Sequence, residues 1–172
     1  PERSEGSQRF FGLRPQNDDH WIGDDKTLSS VDKWILTELD NATREISDYL
    51  GAFRFYDAAN TIYHFFWHSF CDWYLELVKP VLLGKESDGR KQTVQSVLAY
   101  VLETSMRLLH PFMPFISEEI WQLLKLLFKK GDRQEVLPVP FFSQNTIMLS
   151  EWPKPAFGNR FEKETSEVRL FQ

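Results

Sequence analysis

The sequence has a single cysteine, no glycine-rich phosphate-binding loop and no long apolar run. Cys71 is alone among 172 residues, which excludes a disulfide within the chain and a metal site built from several thiolates. None of the eight glycines forms G-x-x-x-x-G-K-[ST] or G-x-G-x-x-G, so nucleotide binding by those loops is excluded. No apolar run approaches the roughly 20 residues of a membrane span, and no secretory pattern opens the sequence. We therefore expect a cytoplasmic protein without a membrane partner.

The chain also lacks an excess of positive charge. Twenty Lys and Arg stand against 25 Asp and Glu, which gives a formal net charge of −5. Proteins that hold duplex nucleic acid by charge alone rely on many cations to neutralise phosphates. We therefore expect no DNA partner, although local basic patches remain open.

Apolar side chains, in contrast, are plentiful. Hydrophobic residues make up 42% of the chain and aromatic residues 15%, which is enough for one packed core in 172 residues. We expect a monomer with an irregular segment or truncated helix over residues 1–29 and a helical domain over residues 30–153. We also expect a C-terminal extension over residues 154–172 that begins a further helix and is cut off.

Apolar residues recur at spacings of three and four in four stretches, which predicts four helices. These helices are expected over residues 30–50, 56–79, 91–109 and 114–129. Ser30 is the expected N-cap of the first, Pro80 limits the second, and Pro114 suits the first turn of the fourth. Short links between amphipathic helices predict an all-α, antiparallel four-helix bundle, with a short β or irregular extension after it. The loop is expected over residues 132–145 and the strand over 146–149.

The second helix is apolar around most of its circumference, so we expect other helices to cover it on more than one side. Trp67 and Trp73 are then core residues, as are Trp34 and Trp121 on other helices. The fourth helix is expected to turn four apolar residues inward, namely Ile116, Ile120, Leu123 and Leu127.

Few residues suggest chemistry. His64, His68 and Asp72 are spaced four apart and share one helical face, where they could bind zinc. The same three residues also fit the polar strip that a bundle helix needs, and this interpretation is favoured because no H-E-x-x-H motif surrounds them. Cys71 lies among aromatic residues and is expected to be a buried structural thiol. We therefore expect no catalytic residue and no metal ligand in this chain.

Two strings of residues distinguish this sequence from a generic bundle. They are F-C-D-W-Y-L-E-L-V-K-P at residues 70–80 and L-L-H-P-F-M-P-F-I-S-E-E-I-W at residues 108–121. Together they closely resemble the anticodon-binding helical domain of the valyl-tRNA synthetases, over about residues 30–153. The isoleucyl and leucyl domains share the bundle but not both strings, and they remain the alternative within the superfamily. A non-enzymatic helical interaction module is the alternative outside it.

The resemblance implies that the parent enzyme is a class I synthetase that attaches valine to its tRNA with ATP and Mg²⁺. Its catalytic domain would be supplied in cis, because neither the H-I-G-H nor the K-M-S-K-S signature occurs in this sequence. This fragment is then expected to be inactive by itself, to hold no cofactor, and to bind the anticodon stem-loop of the tRNA.

The resemblance also implies where the RNA is bound. Gln8-Arg9-Phe10 is similar to an alanine-arginine-phenylalanine string that meets the anticodon loop in this family. Phe10 would stack on an unpaired base, and Arg9 would pair with a phosphate or a base edge. Lys33 and Arg54 are further candidates, as contacts to the RNA backbone. Phe10 could instead pack against the bundle, and the surface cations could simply be solvated.

Overall fold

The structure is a computed structural model that describes residues 26–84, 86–129, 144–158, 160–161, 165–166 and 168. The described residues form helices and contain no strand, which confirms the all-α class. In chain order the helices are α1 (Ser30–Gly51), α2 (Phe55–His64), a π-helix (Phe65–Tyr74), α3 (Leu75–Leu83), α4 (Asp88–Leu109), α5 (Pro114–Lys129) and a 3₁₀-helix (Ile147–Leu149). The predicted strand over residues 146–149 is therefore wrong. The predicted loop over 132–145 and the helix over 162–172 lie mostly outside the described residues.

The N-cap of α1 is Ser29, so the prediction of Ser30 was wrong by one residue. The Ser29 hydroxyl accepts a hydrogen bond from the Asp32 N–H at 3.3 Å, and the Asp32 carboxylate accepts one from the Ser29 N–H at 2.9 Å. This reciprocal pair is a capping box, which needs an acidic or amide side chain three residues after the cap. Ser29 has Asp32 at that position, whereas Ser30 has Lys33.

The second long helix consists of α2, the π-helix and α3, which follow one another without a break. It does not end at Pro80, as predicted, but continues to Leu83, where the Gly84 N–H donates to the Pro80 carbonyl at 2.8 Å. A proline inside a helix removes one N–H donor. Pro80 and Glu76 are both exposed, so the Glu76 carbonyl that loses its helical partner can bind water.

The π-helix changes which side chains of the second long helix face the core. A π-helix bonds residue i to i+5, and here the Leu75 N–H donates to the Phe70 carbonyl. The buried residues of this helix are Ala58, Ile62, Phe65, Phe70, Tyr74 and Val78, with a five-residue step from Phe65 to Phe70. Only one face is therefore covered. Trp67 and Trp73 are 53% and 36% exposed, so their prediction as core residues was wrong, whereas Trp34 and Trp121 are buried.

α1, the second long helix and α4 share one hydrophobic core, and α5 packs against α4 in a smaller cluster. The buried side chains of α5 are Ser117, Trp121, Leu124 and Lys125, and of the four residues predicted to face inward Ile120 is partly buried against this cluster. Ile116 and Leu123 are about half exposed, while the side chain of Leu127 lies outside the description. A register one residue away differs by about 100° of rotation, and this rotation buries the large indole of Trp121 against Met106.

The C-terminal extension packs on α1. The carboxylate of Asp40 accepts hydrogen bonds from three successive backbone N–H groups, of Ala156, Phe157 and Gly158, at 2.9, 2.6 and 2.7 Å. Phe157 and Phe161 are buried in the main core. These contacts tie residues 156–158 and Phe161 to the helices, and the domain boundaries at residues 29 and 153 stay a prediction.

A buried polar network joins three helices near the start of α1. Asp32 is fully buried and accepts hydrogen bonds from the Tyr74 hydroxyl at 2.8 Å and from the Arg90 guanidinium. Arg90 also donates to the Ser29 hydroxyl at 2.9 Å. The carboxylate of Asp32 thus connects α1 to the second long helix and to α4.

Within the described residues, no helix is both long enough and apolar enough to cross a bilayer.

Candidate nucleic-acid interface

Of the four residues predicted to contact RNA, two fall within the described chain. Arg9 and Phe10 lie outside the described residues, so their role stays a prediction. Lys33 and Arg54 lie near opposite ends of α1, a helix of 22 residues. At 1.5 Å per residue its ends are roughly 33 Å apart, so the fold does not bring the two cations together.

Lys33 interacts with the C-terminal extension. Its ammonium group lies 5.5 Å from the centroid of the Phe161 ring, in the geometry of a cation–π contact. The side chain is half-buried as a result. Lys33 therefore holds Phe161 against α1, and this contact competes with binding of its charge to a phosphate.

Arg54 is exposed but is held between two neighbours. Its Nε atom lies 2.8 Å from the carboxylate of Asp57, and its guanidinium carbon lies 4.6 Å from the centroid of the Tyr49 ring. The hydrogen bond to Asp57, together with the charge of that carboxylate, raises the pKa of Arg54 above its ordinary value. Asp57 thus offsets the positive charge that a phosphate contact would use.

The second long helix exposes four ring side chains, although the sequence pattern placed only His64 and His68 on its polar strip and predicted Trp67 as a core residue. We call Tyr63, His64, Trp67 and His68 the outer ring face. All four are exposed, with Tyr63 at 55% and Trp67 at 53%. The Tyr63 ring lies 5.7 Å from the His64 ring and 6.0 Å from the His68 ring, and the two imidazoles are 5.3 Å apart, all between centroids.

The choice of covered face accounts for this exposure. Ile62, Phe65 and Phe70 are buried, which leaves the outer ring face uncovered, and the π-helix that begins at Phe65 lengthens the step from Phe65 to Phe70 to five residues. The sequence pattern placed His64 and His68 on a polar strip but missed the exposure of Trp67, because periodicity does not say which of two apolar faces is covered. The available signal was the excess of aromatic side chains on this helix, more than one packed face can cover.

The histidines do not form a metal site with Asp72. His68 Nδ1 lies 3.1 Å from the Asp72 carboxylate, and both side chains are more than half exposed. Among the residues that the structure describes, no three His, Cys, Asp or Glu side chains group closely enough to hold a metal ion. The pair instead fixes the orientation of the His68 ring.

Cys71 is half-buried against the main core. Burial raises the pKa of the Cys71 thiol, and the neighbouring charge of Asp72 raises it further. A thiol of raised pKa is protonated at neutral pH and is a weak nucleophile. The environment of Cys71 is that of a structural thiol.

The outer ring face suits contact with unpaired bases. Single-stranded nucleic acids bind proteins by stacking bases on aromatic side chains, and every base has a face that can stack. Exposed indole, phenol and imidazole rings lie within a few residues of one another on this surface.

Comparison with known proteins shows the family. The family profile described as the anticodon-binding domain of tRNA ligase matches residues 32–172. The chain belongs to this family of anticodon-binding domains. The resemblance inferred from the strings at residues 70–80 and 108–121 is thereby confirmed.

The relatives of this anticodon-binding domain include several valine–tRNA ligases. The chain is 56% identical to that of Geobacter sulfurreducens over 143 residues, which cover 83% of the chain and 14% of the ligase. It is 52% identical to that of Thermotoga maritima over 129 residues, or 75% of the chain and 13% of the ligase. For Agrobacterium fabrum the identity is 39% over 142 residues, again 83% and 14%. The anticodon-binding domain thus spans about one seventh of these relatives.

Proposed function

We propose that this domain is the anticodon-binding part of a valine–tRNA ligase and that it binds the anticodon loop of a valine tRNA. The match of the anticodon-binding family to residues 32–172 carries the proposal. Identity of 56% to a valine–tRNA ligase supports the choice of amino acid over the isoleucine and leucine enzymes.

The finer architecture that we propose is an antiparallel four-helix bundle with a short C-terminal extension. Connections of a few residues join α1 to α2, α3 to α4, and α4 to α5. Helices joined by such short turns commonly pack as hairpins, with successive helices running in opposite directions. The core shared by α1, the second long helix and α4 is consistent with this arrangement.

We infer that the outer ring face stacks on bases of the loop. A stacked base contributes about 1–3 kcal/mol, so two stacked rings would supply a large part of the binding free energy. Lys33 is engaged with Phe161, and Asp57 offsets the charge of Arg54, which supports a binding mode with a small salt dependence. Arg9 and Phe10 would add the contacts expected from the family string.

The activity of the whole enzyme is also part of the proposal. The ligase would attach valine to its tRNA with ATP and Mg²⁺, in a catalytic domain of the same polypeptide outside this chain. The domain alone would be inactive, monomeric and without a cofactor, and the enzyme would work in the cytoplasm without DNA or membrane partners.

Titration with RNA tests this function. The chain should bind a valine anticodon stem-loop more tightly than the same stem with a scrambled loop, measured by quenching of tryptophan fluorescence or by a labelled RNA. Trp67→Ala, read with the labelled RNA, should weaken binding to the matched loop about fivefold or more, because each stacked ring contributes at least about 1 kcal/mol. Phe10→Ala should also weaken matched binding, while Lys33→Ala should change binding to both loops little and alike, because its ammonium group is engaged with Phe161.

Phe115→Ala is the matched control, because Phe115 is an aromatic residue that is 91% exposed but belongs to α5 and not to the second long helix. The control should bind both loops as the unaltered chain does. Equal binding to matched and scrambled loops, or no binding to either, would contradict the proposed function and favour a helical interaction module. Tighter binding to an isoleucine or leucine loop would reassign the amino acid.

A further inference from the structure

Two turns of this domain expose apolar side chains and almost no charge. We call residues 51–56, between α1 and α2, and residues 111–116, between α4 and α5, the apolar end. Arg54 is the one charged residue in these two segments. Six large side chains there are exposed, namely Phe53 (80%), Phe55 (57%), Tyr56 (81%), Met113 (51%), Phe115 (91%) and Ile116 (46%).

In the proposed antiparallel bundle the two turns lie at the same end of the molecule. The turn between α3 and α4 then lies at the opposite end, where residues 86–91 include Glu86, Asp88, Arg90 and Lys91. One end of the domain is therefore charged, and the other is apolar. Contiguous apolar surface on a folded domain marks a site of interaction.

Both turns are held rigid although their side chains are exposed. The Arg54 N–H donates to the Tyr49 carbonyl at 2.8 Å, and Phe53 is kept at a φ of 57°. In the second turn the Met113 N–H donates to the Leu109 carbonyl at 3.0 Å, and His110 Nδ1 lies 2.8 Å from the Ser117 hydroxyl. Rigid turns present these side chains with little loss of conformational entropy on binding.

The composition of the apolar end favours a protein surface over RNA. Protein interfaces are enriched in aromatic residues, Met and Arg and are depleted of other charges at their centre, as here. Met113 and Ile116 cannot stack on bases as rings do, and Arg54 is already paired with Asp57. The six exposed side chains include no cation, so they offer no positive charge to an RNA phosphate.

We propose that the apolar end docks onto another domain of the same ligase chain. The proposal rests on the proposed function, since it requires a ligase around this domain. The match covers only 14% of the Geobacter sulfurreducens relative, so most of such an enzyme lies outside it and can supply an apolar partner surface. Docking there would fix the anticodon-binding domain relative to the rest of the enzyme and leave the outer ring face open.

Oxidation of the three methionines tests this docking. Met113 belongs to the apolar end, Met148 is 76% exposed outside it, and Met106 is fully buried. The full-length ligase and this chain would be treated with hydrogen peroxide and digested, and each sulfoxide would be measured by mass spectrometry. We expect Met113 to react about fivefold more slowly in the ligase than in the isolated chain, relative to Met148, because docking shields its sulfur. Met106 should stay unreactive in both.

A pair of substitutions provides the second measurement. Phe115→Ser in the full-length ligase should restore the reactivity of Met113, whereas Leu83→Ser, a change at an 85% exposed residue of the opposite end, should not. In the isolated chain both variants should melt within about 1 °C of the unaltered protein, since exposed substitutions change stability little. A Phe115→Ser ligase in which Met113 stays protected would overturn the proposal.

Three other outcomes would also overturn it. An unchanged ratio of Met113 to Met148 oxidation would show that no domain covers the apolar end. Protection that grows with the concentration of the isolated chain would identify a second copy as the partner. Protection of the isolated chain by the anticodon stem-loop would assign the surface to RNA. Failure of the RNA titration would refute the proposed function by a separate readout, so the two failures are distinguishable.

Discussion

Replacement of Asp32 by alanine should cause a large loss of stability in this domain. Asp32 is fully buried, and its carboxylate accepts hydrogen bonds from Ser29, Tyr74 and Arg90. The substitution removes the acceptor for all three groups at once. Tyr74 is buried and would be left with an unpaired hydroxyl, and Arg90 would lose its counter-ion.

The magnitude follows from two contributions. Removal of one partner of a buried ion pair costs about 3–5 kcal/mol, and the low end applies because Arg90 keeps partial access to water, with 21% of its side chain exposed. Loss of the capping box adds about 1 kcal/mol. The free energy of unfolding should therefore fall by about 4 kcal/mol. For a domain of this size the Tm would drop by roughly 8–16 °C.

Urea denaturation followed by circular dichroism measures the effect. Glu45→Ala is the matched control, because Glu45 is an exposed acidic residue of the same helix and its loss should cost under about 0.5 kcal/mol. Tyr74→Phe should fall between the two, at about 1 kcal/mol for one hydrogen bond. A loss below about 1 kcal/mol for Asp32→Ala would refute the reasoning that this network stabilises the helix packing.

Two further predictions concern the turns and the segment after α5. Burial raises the pKa of Glu118, but hydrogen bonds from Gln122, Thr146 and the Ile147 N–H outweigh it, so the pKa lies below its ordinary value. A carboxyl whose pKa is lowered by folding adds stability above its unfolded pKa of about 4.3, and that stability is lost as pH falls through the folded value. The unaltered chain should thus lose its stability advantage over Glu118→Gln below about pH 4 in urea titrations, and a constant difference would contradict this. The Phe53→Gly variant should have a free energy of unfolding about 0.5 kcal/mol higher than the Phe53→Ala variant, because glycine tolerates the positive φ at this position and alanine does not. Equal stabilities of the two variants would argue against strain at this turn.

The main helices could be predicted from the sequence because their signals are local. Capping residues, Pro114 and apolar spacing depend on neighbours within a few residues, and they placed α1, α4 and α5 to within a few positions. The aromatic stripe of the second long helix was also recognised. Which of its faces is buried was not, because periodicity alone does not choose between two apolar faces. The π-helix between Phe65 and Tyr74 also lengthens the repeat beyond 3.6 residues and makes Phe70 the next buried residue after Phe65.

The candidate site was predictable only in part. The strings at residues 70–80 and 108–121 identified the family, and the lack of both glycine-rich motifs excluded nucleotide binding by those loops. Lys33 and Arg54 were predicted as cations that contact the RNA backbone. Their partners within the fold could not be predicted, because these are distant in the sequence or meet the cation only in the folded turn. Phe161 lies 128 positions from Lys33 in the chain, and no spacing rule connects them.

The amino-acid sequence by itself determined the helical class, the family and the absence of nucleotide-binding loops, since these depend on residue identity and local periodicity. The tertiary structure alone decided which face of each amphipathic helix is covered. Trp121 is fully buried on α5 while Ile120 is only partly buried, and Tyr63 and Trp67 remain outside on the second long helix. The physical reason is that burial depends on which surfaces meet, and a helix with two apolar faces can satisfy its own pattern with either one.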